Sequence, residues 1–162
     1  METIIIGKKY FHRGKTVTDR LFGAGTSHPS LLPMRPRYAD LFEALKDPDP
    51  IRADKAFDDI LFERGNALPD LIEAYEPKTR EPLVRYALVQ LMGFTEDPRA
   101  IPTVMNALDD PHPDVRAEAC RALEDLRARD ALPNLQSRLE DMDIKVRQAA
   151  EETIRALGGW RS

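Results

Sequence analysis

The sequence predicts an all-α fold, a right-handed α-α solenoid of about four stacked helical hairpins that follows a non-repeat N-terminal arm. The first observation is an aliphatic-arginine dipeptide that recurs at intervals of 33, 31 and 31 residues, as Ile51-Arg52, Val84-Arg85, Val115-Arg116 and Val146-Arg147. The second is a matching opening shortly before each dipeptide, as Tyr38-Ala39-Asp40-Leu41, Leu68-Pro69-Asp70-Leu71, Ile101-Pro102-Thr103-Val104 and Leu132-Pro133-Asn134-Leu135. Two motifs in one register, with two helical patterns per period, indicate repeats that stack into a solenoid.

The composition is that of one helical domain that does not depend on disulfides. The 162 residues are 42% hydrophobic and 32% charged, which is ordinary for a globular protein. The single cysteine, Cys120, cannot form an internal disulfide, which favours a cytoplasmic location. The apolar run of residues 4–6 is far too short for a signal peptide or a membrane span, so we expect neither.

The net charge of −4 is divided unevenly along the chain. Residues 1–37 carry seven Lys or Arg against two acidic residues, which is +5, whereas residues 38–162 carry 17 against 26, which is −9. We therefore expect the two parts to attract each other, or the basic arm to bind an acidic partner.

Residues 1–37 do not follow the repeat and are predicted to form the arm. Residues 3–6 are rich in β-branched side chains, residues 15–18 have weaker strand character, and glycines interrupt both. These features predict a short β-hairpin or an extended arm. Three prolines between Ser27 and Arg37 oppose helix formation and favour an extended connector to the repeats.

The repeat region, residues 38–162, divides into units near 38–67, 68–100, 101–131 and 132–162. Each unit is predicted to be a helix, a tight turn and a second helix. The later units open with a proline, which loses no hydrogen bond in the first turn of a helix. Turns rich in proline and aspartate then separate the two helices.

The second helices carry most of the predicted core. The register predicts burial of Val84, Leu88, Leu91, Met92, Val115, Ala119, Ala122, Leu123, Leu126, Val146, Ala150, Ile154 and Leu157. After Ile51-Arg52 the first unit departs from this register by one or two residues, as expected of a terminal repeat. Gly158-Gly159 is predicted to end the last helix, and Trp160 to cover the end of the core.

The pattern resembles the HEAT-repeat family, in the short bacterial and archaeal form related to phycobilin lyase subunits. The clearest match runs from Asp110-Pro111-His112-Pro113-Asp114-Val115-Arg116 through Ala119 and Leu123 to Leu132-Pro133. The resemblance covers residues 38–162 and implies a ladder of hydrogen bonds between units, which we assign to Arg85, Asp110, Arg116, Asp141 and Arg147. In the first two units Lys46 and Thr79 stand where the family has its aspartate. Because the arginines repeat at one position, we interpret them as structural.

The sequence identifies no catalytic site. Hydroxylases of this architecture resemble one another in paired His-Glu dipeptides, whereas His12, His28 and His112 are each followed by another residue. No Cys and His cluster has zinc-ligand spacing, and Cys120 is expected to be an inert thiol. DNA glycosylases of this fold need a basic groove, whereas the repeats are net acidic. We therefore expect no enzyme activity, no metal and no cofactor.

Helix geometry predicts a partner-binding face. If the valines of the dipeptides point to the core, the second, fifth and sixth residues after each lie opposite the core at about 100° per residue. These candidates are Tyr86, Val89, Gln90, Ala117, Cys120, Arg121, Gln148, Glu151 and Glu152. They predict a groove on the concave face, apolar at one end and acidic at the other, that suits a basic amphipathic helix or extended peptide.

The predicted function is a non-catalytic protein-protein interaction module, either an adaptor, a regulator or an immunity-type binder. Its partner would be another protein or peptide with a basic segment, and we expect no membrane interaction. The arm competes on even terms as the occupant of the groove, in cis or exchanged between two copies. The alternatives are a phycobilin-lyase-like accessory subunit, which the resemblance implies, and nucleic-acid binding through Lys8, Lys9, Arg13, Lys15 and Arg20.

Overall fold

A computed structural model describes residues 35–75 and 81–158 of the chain. Within these ranges all regular structure is helical, which confirms the predicted fold class. No helix in the described part is long and apolar enough to cross a membrane. The predicted β-hairpin and the predicted contact of Trp160 with the core both lie outside the described residues.

The described helices form four consecutive pairs. They are α1 (Pro36–Ala44), α2 (Pro50–Glu63), α3 (Leu68–Ala74), α4 (Pro82–Phe94), α5 (Ile101–Ala107), α6 (Pro113–Asp125), α7 (Leu132–Arg138) and α8 (Ile144–Ala156). Each first helix packs on the second helix of its own pair, and the second helices α2, α4, α6 and α8 pack side by side in chain order. The result is a solenoid of helical hairpins.

Side chains at the turns determine where the last two second helices begin. The His112 Nδ1 atom accepts a hydrogen bond from the Asp114 N–H at 3.3 Å at the start of α6. Asp143 Oδ1 accepts from the Lys145 N–H at 2.8 Å at the start of α8. Both satisfy amide groups that a helix leaves without an internal partner.

The last three second helices end in the same way. Glu96, Arg127 and Gly158 come after α4, α6 and α8 at a spacing of 31 residues, with φ of 53°, 53° and 77°. A left-handed residue after a helix helps to satisfy its last carbonyl groups. Gly158 therefore ends α8 as predicted, whereas Glu96 and Arg127 adopt this conformation at a steric cost that glycine avoids.

A continuous core runs along the stack. All the residues predicted to be buried on α4, α6 and α8 are buried. Tyr38, Phe42 and Ile60 extend the core into the first pair, each at most 1% exposed. Between α4 and α6 the packing is so close that a Cβ on Gly93 would lie 2.9 Å from the Cα and Cβ atoms of Ala122, so only glycine fits there without movement.

The first pair has a register different from the one the dipeptides suggest. Asp47, Asp110 and Asp141 occupy equivalent turns, because each accepts a hydrogen bond from the N–H two residues later at 2.9 Å. Six residues after Asp110 and Asp141 stand the arginines of the later dipeptides, whereas six residues after Asp47 stands Ala53.

The dipeptide Ile51-Arg52 is therefore displaced by one residue from the position it resembles. Ile51 is 77% exposed and lies outside the core, in agreement with the expected departure of the first unit from the register. The Arg52 side chain is 73% exposed and lies 3.7 Å from carboxylate oxygens of both Asp47 and Asp49. The true core of α2 uses Ala56 and Ile60, one residue later than the dipeptide predicts.

Candidate partner-binding face

Two arginines bind the aspartate that precedes the next second helix. Arg85 donates from Nε and Nη2 to Oδ2 and Oδ1 of Asp110 at 2.8 Å each. Arg116 donates in the same way to Asp141 at 2.9 and 2.8 Å. We call these four residues the arginine ladder and each pair a rung. A two-point contact of this kind fixes orientation as well as distance between neighbouring units.

The rung at Asp110 is the more deeply buried. Asp110 is 2% exposed and also accepts hydrogen bonds from the Tyr75 hydroxyl at 2.8 Å and from the His112 N–H. The hydrogen bond to Asp110 raises the pKa of Arg85 above its usual value. In the second rung the hydrogen bond from Arg116 lowers the pKa of Asp141. The charged forms of Arg85 and Asp141 are thus favoured.

Arg147 makes the contacts of a ladder arginine within its own unit only. Its Nη1 donates to the carbonyl oxygens of Asp141 and Met142 at 2.7 and 3.1 Å. Arg116 makes the equivalent contacts to Asp110 and Pro111 at 2.9 and 3.3 Å. Among the described residues, no aspartate meets the Nε and Nη2 edge of Arg147.

Three of the predicted partner-binding residues lie in the core. Val89 and Cys120 are 0% exposed and Ala117 is 2% exposed, so their assignment to an open face is wrong. Each inner second helix is covered by its own first helix and by a second helix on either side, whereas the prediction considered one covered side. The apolar end of the predicted groove is therefore absent from the surface.

Cys120 shows how completely these positions are covered. The Thr153 hydroxyl on α8 donates to the backbone carbonyl of Cys120 on α6 at 3.1 Å, which places the cysteine between the two helices. Burial raises the pKa of the Cys120 thiol to about 12. A thiol with so high a pKa is a poor nucleophile at neutral pH, and Cys120 has a packing role.

The other six candidates retain exposed surface. Tyr86 and Gln90 on α4 are partly buried, and the Arg121 side chain on α6 is 49% exposed. On the last helix the remaining candidates are Gln148, Glu151 and Glu152. Glu151 occupies the position equivalent to Val89 and Cys120, and it is exposed because no further helix of the described part packs beside α8.

The structure adds one residue that the sequence prediction missed. Glu118 lies on α6 between Tyr86, Gln90 and Arg121 and is only 5% exposed. Arg121 donates to its carboxylate at 3.2 Å, and the side chains of Tyr86 and Gln90 also hydrogen-bond to it. A single acidic residue inside the run Ala117 to Cys120 is the signal that could have identified it.

Burial dominates the electrostatics at Glu118. Desolvation raises the pKa of this carboxyl group, and the opposing effects of Arg121, Tyr86 and Gln90 do not cancel the rise. Burial, and then the charge of Glu118, raise the pKa of the Tyr86 hydroxyl. Strongly perturbed groups near a surface are typical of functional sites.

The polar surface continues from α6 to α8. The Lys145 Nζ atom binds Asp114 Oδ1 at 2.9 Å across the two helices. Gln148 and Glu152 come three and seven residues after Lys145 and so lie on the same side of α8. We define the open face as the surface formed by Tyr86, Gln90, Glu118, Arg121, Lys145, Gln148 and Glu152.

The chemistry of the open face is that of recognition by charge and hydrogen bonds. It offers carboxylates, amides, a phenol and two cations on neighbouring helices. Within the described ranges, no group of three or more His, Cys, Asp or Glu residues is arranged to hold a metal ion. His112 caps α6 and lies outside this face.

The repeats are similar to known proteins. The model of the family described as HEAT repeats matches residues 68–155. Among solved structures, human deoxyhypusine hydroxylase in complex with glycerol is 24% identical with a TM-score of 0.61, and the match covers 76% of this chain and 44% of that one. The chain thus spans less than half of the hydroxylase, and at this identity the likeness shows the fold alone. No match was found among curated proteins.

Proposed function

Because the chain belongs to the HEAT-repeat family, we propose that it is a protein-binding module whose open face receives a basic segment of another protein or peptide. The observation that carries this proposal is Glu118, a carboxylate that is 5% exposed yet lies on the open face rather than in a rung. A carboxylate in such a place costs free energy unless charged or polar groups surround it. A lysine or arginine from a partner would offset that cost.

The present neighbours of Glu118 leave room for such an exchange. Arg121 contacts the carboxylate at 3.2 Å through one guanidinium nitrogen, and its side chain is 49% exposed. An ion pair with a half-exposed arginine contributes little stability. We expect an entering cation to replace Arg121, while Tyr86 supplies an aromatic surface beside it.

The charge of the last helix favours the same class of partner. Glu151 and Glu152 are both exposed on α8, and Glu151 pairs with Arg155 at 2.7 Å inside the helix. An acidic end next to the buried carboxylate attracts basic segments and speeds their association. The proposal assigns no catalytic step to the chain.

Partner capture tests the proposal. The full chain is used to isolate bound protein from its native cell, and the affinity of each identified partner is then measured for the native chain and for two variants of the open face, Glu118→Gln and Glu152→Gln. Removal of the buried Glu118 charge is expected to weaken binding at least about tenfold, and removal of the exposed Glu152 charge is expected to weaken it less. Glu140→Gln is the matched control, because Glu140 is exposed in the turn before α8.

The comparison of variants decides the result. Reduced affinity of both open-face variants, with an unchanged affinity of the control and unchanged circular dichroism, supports the open face as the binding site. Equal binding by all three variants would exclude it.

A further inference from the structure

The two ends of the described stack carry complementary halves of a rung. At one end Arg147 has the geometry of Arg116, with Nη1 held by two carbonyl oxygens of its own turn. In Arg116 this arrangement aims the Nε and Nη2 edge at the aspartate of the next unit. Because Arg147 is held in the same way, its edge is aimed where the aspartate of a further unit would lie.

Asp47 is the matching half at the other end. Its Oδ1 accepts the Asp49 N–H at 2.9 Å, as Asp141 Oδ1 accepts the Asp143 N–H. The Asp141 carboxylate also accepts two hydrogen bonds from Arg116 of the preceding unit. Among the described residues the cation that lies near the Asp47 carboxylate is the Arg52 guanidinium, at 3.7 Å, so this carboxylate has no two-point contact of the kind seen in a rung.

The flanking positions of the end helices also match in charge. Inside the stack Gln90 on α4 faces Glu118 on α6. The repeat spacing makes Glu152 on α8 equivalent to Gln90, and Lys55 on α2 equivalent to Glu118. If α8 of one molecule packed on α2 of another as α4 packs on α6, an exposed acid would therefore meet a base.

A second pair of positions leads to the same result. Gly93 approaches Ala122 between α4 and α6, and the equivalent end residues are Arg155 on α8 and Asp59 on α2. Their side chains are 66% and 40% exposed. In a single molecule each is paired within its own helix at 2.7 Å. Because Arg155 is much larger than Gly93, α8 would lie farther from α2 than α4 lies from α6, and Arg155 and Asp59 would then reach each other across the contact.

Exposed apolar side chains lie beside both ends. Met142 and Ile144 lie at the turn before α8 and at its start, and they are 98% and 58% exposed. Phe62 on α2 is 91% exposed, at the position equivalent to Asp125, whose carboxylate lies against the side of α6 that faces Gly93. A contact that covered these groups would add hydrophobic stabilisation to the charge pairs.

We propose that copies of this chain stack head to tail, with α8 of one molecule against α2 of the next and Arg147 bound to Asp47 as a further rung. The interface is heterologous, because two different surfaces meet, so it extends into a ring or filament rather than ending at a symmetric dimer. It shares Glu152 with the open face, whereas its rung, Arg147 with Asp47, lies outside that face.

Sedimentation velocity tests this assembly on the full chain and on two variants that reverse the charge of one member of the rung. The native chain should show an average mass that rises with concentration beyond that of a dimer. Arg147→Asp and Asp47→Arg should each weaken self-association at least about tenfold, since each places like charges in the rung. An equal mixture of the two variants should associate again, because each tail then meets a head of opposite charge.

The recovery in the mixture separates loss of the rung from loss of folding. Arg147→Lys provides a second measure, because it keeps the charge without the two-point geometry and should weaken association less than Arg147→Asp. Glu73→Lys, at an exposed position of α3 in the second pair and away from both ends of the stack, is the control with unchanged association. A native chain that stays monomeric to millimolar concentration, a fixed dimer, or a mixture that fails to associate would each overturn the proposal.

Discussion

The arginine ladder and the open face each contain a buried carboxylate, and the two are held very differently. Asp110 is 2% exposed and receives two bonds from Arg85 together with those from Tyr75 and a backbone amide. Glu118 is 5% exposed and receives one contact from a half-exposed arginine besides two neutral groups. Two carboxylates that are buried to a similar degree thus have very different surroundings.

The two carboxylates differ in how far neighbouring groups replace the hydrogen bonds to water that each loses on burial. In the ladder, donors fixed by the stack surround the carboxylate, and removal of one partner would leave a buried charge unpaired. On the open face, desolvation exceeds the compensation, as the raised pKa of Glu118 shows. The ladder has the properties of a structural element, and the open face is the surface that we propose for partner binding.

Replacement of Asp110 should cause the largest loss of stability among the variants considered. Asp110→Asn leaves the buried Arg85 guanidinium without a counter-charge, and we expect a loss of about 3–5 kcal/mol in the free energy of unfolding. Urea denaturation at neutral pH measures it. The matched variant Asp109→Asn, in a side chain that is 75% exposed, should change stability by less than about 0.5 kcal/mol. Similar losses in both variants would contradict a structural ladder.

The second rung should show a smaller loss with a defined dependence on pH. Arg116 lowers the folded pKa of Asp141, so the stability from this carboxylate is present above the unfolded pKa of about 3.9 and is lost as the pH falls through the folded value. Asp141→Asn should cost about 1–3 kcal/mol at neutral pH. Denaturation at a series of pH values should show that the difference in stability between the native chain and Asp141→Asn decreases as the pH is lowered. A difference that does not change with pH would contradict an ionic rung.

Glu118 should show the opposite dependence on pH. Its folded pKa is raised by burial, so its contribution is fully present below the unfolded pKa of about 4.3 and is lost as the pH rises through the folded value. The stability of Glu118→Gln relative to the native chain should therefore increase from acid to neutral pH. If the stability of Glu118→Gln relative to the native chain instead fell as the pH rose, Glu118 would behave like a structural carboxylate of the ladder.

Arg52 should have the smallest effect. Its side chain is 73% exposed, and its carboxylate neighbours are 3.7 Å away, so Arg52→Ala should change the free energy of unfolding by less than about 0.5 kcal/mol. Arg116→Ala, made for comparison, should cost about 1–3 kcal/mol because it removes a rung. Thermal denaturation of both variants measures the contrast, and equal losses would show that Arg52 stabilises the fold as a ladder arginine does.

The sequence was sufficient for the helical hairpins and for the core stripe of each later second helix. Periodicity, prolines and turn residues are local signals, and Val115, Leu123 and Ile154 are buried as these signals predict. The resemblance also pointed to the residues of both rungs. It could not show that Arg147 meets no aspartate within the described residues, because that depends on which elements pack beside α8.

Other features were outside the reach of a single helical pattern. Val89, Ala117 and Cys120 are buried by helices about 31 residues away in the chain, and Glu118 is buried by α4 in the same way. The sequence also showed that the first unit departs from the register by one or two residues after Ile51-Arg52, and the equivalent turns establish that the shift is one residue.

The aliphatic-arginine repeat therefore contains the information for the local part of the fold. Which residues face their own first helix depends on the 3.6-residue turn and can be predicted from the chain. Which flank of a second helix is open depends on whether another second helix packs beside it, and this contact forms only when the units stack. Stacking buries three of the predicted binding residues and leaves Glu118 at the centre of the open face.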